Sequence, residues 1–271
     1  MDLRASLNAI SAVVVNRPKP LREFDQIYMR IADMLIQAEH VSKWLKDANT
    51  VFIGDGDAIA LCIVHLVALE QLKIGPKTVH VLDFDERVIN SVNRFSKHYG
   101  YERIISATLY NVADPLPQQH YGKYQAFYTN PPFGASNDGA SIEAFLLRGI
   151  EAISPSGICC AVLADYPELP WCASVLRNAQ SFLIDNGFVI TELVPQFHTY
   201  HLDDTPDLTS CSLIAKRLGD CHTSVEGMSS PLPKEQLEHF YGAHGPLNVH
   251  HVRDLSNNGK SISNEYQLEP F

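Results

Sequence analysis

The feature of this sequence that most restricts its fold is a regular alternation of short apolar runs with longer helical segments. The strand-like runs are 50–53, 78–82, 104–110, 124–128 and 158–163. The predicted helices are 58–72, 88–98, 139–153 and 171–186, and two closing strands are predicted at 188–194 and 211–216. This alternation predicts an α/β fold with a doubly wound, mostly parallel, Rossmann-like sheet and helices on both faces. Such sheets bind ligands at the carboxyl ends of their strands.

Composition and local character divide the chain into three parts. The 271 residues, 45% of them hydrophobic, suffice for one substantial core. We expect residues 1–46 to form an N-terminal extension and a helix that packs on the sheet, and residues 47–218 to form the Rossmann-like domain. Residues 219–271 are rich in Gly, Pro, His, Ser and Asn, and we interpret them as a loosely folded C-terminal appendage or lid.

Charge and cysteine usage narrow the class of partner. The net charge of −10 argues against a nucleic-acid partner, without excluding one, and favours a small cationic substrate. Neither a run of ~20 apolar residues nor a signal-peptide pattern is present, so we expect a cytoplasmic protein with no membrane contact. The six cysteines form no CxxC pair and are predicted to be reduced core residues.

The turn after the fourth predicted strand reads Asn130-Pro131-Pro132-Phe133. Two consecutive prolines cannot join a sheet ladder, so the chain leaves the strand in a rigid turn. The Asn130 oxygen and the proline carbonyls can accept hydrogen bonds from one amine, and Phe133 offers a flat face beside it. Asn130, Pro131 and Phe133 are therefore candidate catalytic residues. The alternative is a loop that is merely stiffened by proline.

A second candidate turn, Gly54-Asp55-Gly56-Asp57, follows the first strand. Glycine lets the backbone approach a ligand closely, and the helix that follows offers free N–H groups. Gly54, Asp55 and Gly56 are predicted to bind a cofactor. Because both turns lie at the carboxyl ends of strands, we expect them to open into one crevice.

Polar residues after the second and third strands are further candidates for binding a nucleoside. Asp83-Phe84-Asp85 ends the second strand, where an acidic residue is placed to bind a ribose hydroxyl pair. Helix capping is the alternative, and it suits Asp85 better than Asp83. Asn111 or Asp114 is predicted to contact the base, with a surface turn as the alternative.

Two histidines and two carboxylates lie between the closing strands. His198 and His201, followed by Asp203 and Asp204, have a spacing that can hold iron or zinc, but on a loop a solvated polar hairpin is the better interpretation. We therefore expect no metal. The two carboxylates are predicted instead to attract a cationic substrate.

Taken together, these features resemble a class I S-adenosylmethionine-dependent transferase, and within that superfamily the branched-chain polyamine synthases, or bis(aminopropyl)spermidine synthases. The resemblance covers about residues 17–217. The matching stretches are 17–26, 54–57, 83–87 and 129–133 with the following 145–150, and 195–200 is a weaker match. Members of that family usually carry a winged-helix amino-terminal domain, for which we expect no room here.

The resemblance implies aminopropyl transfer to a polyamine, with S-adenosylmethionine or its decarboxylated form as the donor. Asp57 matches the aspartate proposed as catalytic in the family, and we expect it to be the general base, with Asp55 steering the cation. The resemblance further implies that substrate binds at Asp25, Tyr28, Tyr200, Asp203 and Asp204. A homodimer is one assembly that the sequence leaves open.

Two departures from the family pattern keep other reactions open. The family usually has Gly-Asp-Asp-Asp where this chain has Gly56 in the third place, and often Asp-Pro-Pro where this chain has Asn130. Asn-Pro-Pro-Phe is typical of nitrogen methyltransferases that act on an adenine or amide nitrogen. Methylation and transfer of the 3-amino-3-carboxypropyl arm are thus alternative activities, and a nucleoside-binding regulatory module is the nonenzymatic one.

Overall fold

A computed structural model of the chain describes residues 1–200, 202, 207–219, 229–242, 245–256 and 265–271. The α-helices of the described residues are α1 (Leu3–Asn16), α2 (Ile31–Trp44), α3 (Ile59–Ala68), α4 (Glu86–Tyr99), α5 (Ala140–Ala152) and α6 (Pro170–Asp185). Short 3₁₀ turns lie at Arg22–Phe24, Gln118–His120 and Lys234–Leu237. Every helix in this part of the chain is too short or too polar to span a lipid bilayer.

Seven strands form one sheet in the order β3-β2-β1-β4-β5-β7-β6. These strands are β1 (Asn49–Ile53), β2 (Thr78–Asp83), β3 (Ile105–Leu109), β4 (Tyr124–Thr129), β5 (Ile153–Ala164), β6 (Phe188–Thr199) and β7 (Thr209–Arg217). β1 to β5 pair in parallel, and β7 runs antiparallel to both β5 and β6. The predicted doubly wound, mostly parallel sheet is confirmed.

The alternation of side chains along each strand divides the core into two layers. Phe52 of β1 and Tyr128 of β4 pack into the layer that includes α1, α2 and α3, whereas Val51, Ile53 and Phe127 pack into the layer that includes α5. Successive side chains of a strand point to opposite faces, so an apolar run buried on both sides needs helices on both faces. That is the arrangement predicted from the alternation of elements.

One local prediction is wrong, because β6 is longer than its apolar run. The strand continues to Thr199, where His198 pairs with Ser210 and Thr199 with Thr209 of β7. The segment was expected to be a loop because its polar residues interrupt the apolar pattern. Pairing with β7 overrides that local signal, since β-strand preference depends on neighbouring strands more than on composition.

The described part of residues 219–271 packs on the end of the sheet. Its strands β8 (Val249–Asp254) and β9 (Tyr266–Pro270) form an antiparallel hairpin. The backbone N–H of Val252 donates to the carbonyl of Phe84 at 3.1 Å. Phe240 and Val252 are fully or almost fully buried. The hairpin therefore joins the edge of the domain at which β2 ends. The predicted domain boundaries at residues 46 and 218 stay predictions.

Candidate active site

The carboxyl ends of β1, β2 and β4 surround a crevice with about 720 Å³ of empty space, counted with its open mouth. Gly54, Gly56 and Asp57 line it from the turn after β1. Asn130 and Phe133 line it from the turn after β4. The two turns meet because β1 and β4 are parallel neighbours in the sheet. The predicted meeting of the two turns is thus present in the structure.

Asp57 lies at the centre of the first turn and is 4% exposed. Its Oδ1 accepts a hydrogen bond from the backbone N–H of Met29 at 2.8 Å, and its Oδ2 accepts one from Nδ2 of Asn130 at 2.7 Å. The guanidinium of Arg17 lies 3.7 Å from Oδ1 and donates to the Asp57 carbonyl at 3.1 Å. These contacts fix the carboxylate in one orientation at the wall of the crevice.

The environment of Asp57 pulls its pKa in two directions. Burial raises the pKa of the carboxyl, while Arg17 and the hydrogen bonds from Met29 and Asn130 lower it, and the net shift is upward. Burial dominates because the charged form loses its hydration. A carboxylate with a raised pKa accepts a proton more readily than one in water, which suits a general base.

Asn130 connects the two turns. Since its Nδ2 donates to Asp57, its Oδ1 is directed away from that carboxylate, and among the described residues nothing donates to Oδ1. Pro131, Pro132 and Phe133 complete the wall beside it. Phe133 is held from behind by Tyr200, in an edge-to-face contact with ring centroids 5.7 Å apart. The arrangement offers an acceptor oxygen and an aromatic face to the crevice.

The structure corrects the role predicted for Asp55, which does not line the crevice. Its two oxygens accept the backbone N–H groups of Ile59 at 2.9 Å and Ala60 at 3.1 Å. Those groups belong to the first turn of α3, where backbone donors lack partners within the helix. Asp55 therefore caps the helix from outside the lining of the crevice, where it is not placed to contact a cation.

Asp83 at the end of β2 and Phe84 just after it contribute to the crevice. The oxygens of Asp83 accept the backbone N–H groups of Asp55 and Asp85, each at 2.9 Å. Burial, and to a lesser degree the charge of Asp85, raise the pKa of the Asp83 carboxyl to about 7. Phe84 stacks on Tyr241 with ring centroids 5.5 Å apart. One carboxyl beside flat apolar rings suits the ribose and base of a nucleoside.

Asp85 is completely buried and lies outside the crevice, so its predicted contact with the cofactor is not seen. It caps α4 by accepting the N–H of Arg87 at 3.0 Å, and it forms an ion pair with the guanidinium of the same residue. Gln26 donates to its second oxygen at 2.9 Å. These contacts fit the alternative interpretation of Asp85, that of a helix cap.

The structure also places Asn111 and Asp114 away from the crevice. Asn111 is fully buried, and its Nδ2 donates to the carbonyl of His250 at 2.6 Å. Asp114 contacts Nε2 of His250 at 2.7 Å. Tyr110 and Val112 line the crevice instead. Asn111 lies between them but faces the C-terminal hairpin, and Asp114 follows in a turn where it contacts the same hairpin.

The predicted substrate residues are divided between the crevice and its surroundings. Asp25 and Tyr28 line the crevice. Tyr200 lies behind Phe133 and shares a hydrogen bond of 2.6 Å with Ser210 Oγ. Asp203 and Asp204 lie outside the described residues, as does His201.

His198, considered as a metal ligand, is fully buried. Its ring nitrogens contact Ser210 Oγ at 2.8 Å and Gln37 Oε1 at 2.9 Å. Burial and the nearby His40 lower the pKa of His198 to about 3. With both nitrogens engaged, His198 has no lone pair free for an ion.

Sequence reasoning missed crevice residues that come from distant segments. They are Phe24, Gln26, Ile27, Tyr110, Val112, Phe145 and Tyr241. Gln26 and Phe145 fall within stretches that carry the family resemblance, which could have indicated them. No motif surrounds Tyr241, which reaches the crevice only because the C-terminal segment folds back onto Phe84.

The lining of the crevice is acidic. Asp25, Asp57 and Asp83 all contribute to it, and none of the described lining residues is Lys, Arg or His. Arg17 approaches from behind, with its guanidinium 4.0 Å from the ring centroid of Tyr28. The field in the crevice therefore favours a cationic ligand.

The strand order, the acidic residue at the end of β2 and the crevice at the carboxyl ends of the strands define a class I methyltransferase-like protein. Within this class, the chain belongs to the branched-chain polyamine synthase family. The model of the branched-chain polyamine synthase A C-terminal domain matches residues 6–222.

Individual relatives agree with this assignment. The chain is 30% identical over 186 residues to the N(4)-bis(aminopropyl)spermidine synthase of Thermus thermophilus, covering 68% of this chain and 50% of that protein. It is 27% identical over 197 residues to the enzyme of the same name from Thermococcus kodakarensis, covering 72% and 52%. The chain thus spans about half the length of the curated relatives it matches.

Solved structures support the same fold. The branched-chain polyamine synthase of Thermus thermophilus, in complex with N4-aminopropylspermidine and 5′-methylthioadenosine, superposes with a TM-score of 0.67 at 25% identity. The match covers 85% of this chain and 69% of that one. A putative RNA methyltransferase from Pyrococcus horikoshii, at 13% identity and a TM-score of 0.58 over 80% of this chain and 100% of that one, shares the fold alone.

Proposed function

We propose that this protein alkylates an amine nitrogen of a polyamine with the aminopropyl group of decarboxylated S-adenosylmethionine. The observation that carries the proposal is the pair formed by Asp57 and Asn130. The amide nitrogen of Asn130 donates to the buried carboxylate of Asp57 at the wall of an acidic crevice, so that the Asn130 oxygen can hold an amine beside the group that deprotonates it. The relative from Thermus thermophilus, crystallised with an aminopropylated spermidine and 5′-methylthioadenosine, supports this assignment.

The charge of the crevice favours the decarboxylated donor over S-adenosylmethionine itself. S-adenosylmethionine carries a carboxylate, and a buried carboxylate needs a cationic or N–H partner. None of the described residues that line the crevice is a cation, while Asp25, Asp57 and Asp83 are acidic. The decarboxylated donor replaces that carboxylate with hydrogen and leaves a purely cationic chain.

The nucleoside end of the donor fits the wall formed after β2 and β3. Asp83 offers carboxyl oxygens for the ribose hydroxyls, and Phe84, Tyr110 and Tyr241 offer apolar surface for the base. A Cβ atom at Gly54 would lie 3.0 Å from Phe145 Cε1, and Gly54 has φ of +71°. A larger residue there would strain the turn and narrow the crevice.

In the proposed reaction, the amine nitrogen attacks the propyl carbon bonded to the sulfonium. The new N–C bond forms as the C–S bond breaks, and the sulfur leaves as the thioether of 5′-methylthioadenosine. An alkylamine has a pKa near ~10 and is protonated at neutral pH, so it must lose a proton to attack. Asp57 is placed to take it, and Asn130 holds both the base and the amine. Positioning supplies much of the acceleration.

The test is to incubate the purified chain with decarboxylated S-adenosylmethionine or S-adenosylmethionine and a panel of linear polyamines, and to identify products by mass. Addition of an aminopropyl group with release of 5′-methylthioadenosine supports the proposal. Products that carry an aminocarboxypropyl group would show that the donor is S-adenosylmethionine and that the proposed donor is wrong. Recovery of unchanged amines, with the nucleoside still bound, points to a binding module instead.

N-methylation is a second candidate, favoured by one observation. The turn after β4 holds Asn130 before two prolines and Phe133, and its free Oδ1 and the ring face suit a planar nitrogen as well as an aliphatic one. Methylated adenine or glutamine amide products, formed with S-adenosylmethionine alone, identify this activity. The acidic crevice opposes it, because a nucleic-acid substrate brings phosphates.

A further inference from the structure

The hairpin formed by β8 and β9 carries a second cluster of chemically active side chains, outside the crevice. His250, His251 and Glu269 each offer one ligand atom, and these atoms all lie within 4.8 Å of one another. Histidine nitrogen and carboxylate oxygen are the donors that zinc and similar divalent ions take in proteins. The cluster lies beyond residue 222, where the match to the family model ends.

A β-bulge brings the two histidines together. In a regular strand, consecutive residues such as His250 and His251 point to opposite faces. Here the pairing of β8 with β9 shifts register between Val249 and His251, so that one extra residue is accommodated on β8. As a result, the two imidazole ring centroids lie 3.9 Å apart.

His250 is oriented by a carboxylate in the way that metal-bound histidines usually are. Its Nε2 lies 2.7 Å from Oδ2 of Asp114, so Nε2 carries the proton and Nδ1 keeps its lone pair. The backbone of His250 is held as well, since its carbonyl accepts a hydrogen bond from Asn111 at 2.6 Å. This anchoring explains contacts of Asn111 and Asp114 that the crevice does not use.

His251 has a buried ring nitrogen without a hydrogen bond. Its Nδ1 lies 3.5 Å from Oε2 of Glu269 but does not have hydrogen-bond geometry, and the atom has no solvent exposure. A buried polar atom without a partner is costly unless a ligand completes it.

Glu269 is shared with a cation. Nε of Arg253 donates to its Oε2, and the guanidinium of Arg253 also lies 3.7 Å from Glu86. Glu86 belongs to α4 and Glu269 to β9, so Arg253 can keep its contact with Glu86 when a metal binds Glu269. Among the described residues, none donates a hydrogen bond to Oε1, the second oxygen of Glu269.

We propose that His250, His251 and Glu269 bind one divalent first-row transition metal, for which Zn²⁺ is the best fit, with water completing a tetrahedral site. The ion would join β8 to β9. Because β8 is bonded to Phe84 and to Asn111, the metal would stabilise the part of the domain that stands behind the nucleoside end of the crevice. Its role is structural, and it is independent of the aminopropyl transfer proposed above.

The test is a calorimetric titration of the EDTA-treated full chain with Zn²⁺. We expect one site per chain for the unaltered protein. Affinity should fall at least tenfold in His251→Ala and in Glu269→Gln, and about tenfold in Asp114→Asn, which removes only the orienting carboxylate. His98→Gln is the matched control, because His98 is an exposed histidine on the nearby helix α4.

Thermal unfolding gives a second readout that does not depend on activity. At free Zn²⁺ of about a hundred times Kd, the midpoint should rise by roughly 5–10 °C in the unaltered protein and in His98→Gln, but not in Glu269→Gln. Circular dichroism checks that each variant folds. Absence of a site in the unaltered chain, or equal affinity in Glu269→Gln, overturns the proposal. So does a loss of affinity in His98→Gln that matches the loss in the cluster variants.

Discussion

The turns at the carboxyl ends of β1 and β2 each carry two aspartates separated by one residue. In each pair, one aspartate faces the crevice and the other caps a helix. In the first turn, Asp57 faces the crevice and Asp55 caps α3. In the second, Asp83 faces the crevice and Asp85 caps α4. The order along the chain is reversed. One carboxylate of each pair holds the turn in place, and the other is offered to a ligand.

The two crevice carboxylates differ in their surroundings, and this difference separates their roles. Asp57 has the guanidinium of Arg17 at 3.7 Å, which offsets part of the effect of burial on its pKa. Asp83 has another carboxylate, Asp85, as its neighbour, and its pKa rises to about 7. Their positions carry the proposed roles, because Asp57 contacts Asn130 of the proposed amine site and Asp83 lies next to Phe84 at the proposed nucleoside site.

The largest effect is expected from Asp57→Asn. An amide of the same shape has one acceptor oxygen in place of two and cannot accept a proton, so turnover should fall about 10²–10⁴-fold. Binding of 5′-methylthioadenosine should change by less than ~2-fold, because that ligand does not need the base. Steady-state rates and calorimetry measure the two quantities.

The matched control for Asp57→Asn is Asp25→Asn, which removes a different acidic group of the same crevice. We expect it to raise KM for the amine more than it lowers kcat, since Asp25 is proposed to attract the substrate and not to deprotonate it. If Asp57→Asn turned over at the normal rate, Asp57 would not be the base.

The next effect concerns pH and Asp83. Below its pKa of about 7 the carboxyl is protonated and loses acceptor capacity for ribose hydroxyls. Affinity for 5′-methylthioadenosine should therefore rise with pH, by roughly tenfold between pH 6 and pH 8. Calorimetric titrations at both values measure the ratio.

Two variants sharpen this prediction. Asp83→Asn should bind more weakly than the unaltered protein at pH 8 and show almost no dependence on pH, because its amide does not titrate. Asp57→Asn should keep the dependence. An unchanged tenfold ratio in Asp83→Asn would place the titrating group elsewhere in the crevice.

The smallest effect is expected for Asp55→Ala, and it should appear in stability. The variant leaves the N–H groups of Ile59 and Ala60 without acceptors, which costs about 1–2 kcal/mol of unfolding free energy. Asp55→Asn keeps one acceptor oxygen and should lose about half as much. Denaturant unfolding measures both. A normal stability combined with a turnover reduced more than ~10-fold would restore the steering role for Asp55.

Much of the fold could be predicted because it depends on local signals. The apolar runs that become β1, β2 and β4 are bounded by turn residues, and their parallel direction follows from the alternation of strands with helices. The meeting of the Gly54 and Asn130 turns follows from the same rule, since both lie at carboxyl ends of strands. The extension of β6 through His198 could not be predicted, because it depends on pairing with Ser210 and Thr209 of another strand.

The candidate site was predictable at the level of turns, but less so at the level of single side chains. Asp55 and Asp57 have the same chemistry and lie two residues apart, yet Ala58 adopts φ of +63° at the start of α3 and the chain changes direction there. Which carboxylate meets the helix and which meets the crevice depends on that backbone path. Tyr241 had no local signal, because its place depends on contacts with Phe24 and Phe84, more than a hundred residues away in sequence.

The sequence alone determined the alternation of strands and helices, the two turns at the ligand-binding edge and the family of the chain. These features are encoded by periodicity, turn chemistry and short motifs, each of which acts over a few residues. Only the tertiary structure decided which aspartates face the crevice, that Asn111 and Asp114 hold the C-terminal hairpin, and that His250, His251 and Glu269 converge. Those outcomes depend on packing between distant segments, where burial and unsatisfied backbone donors select one orientation of each side chain.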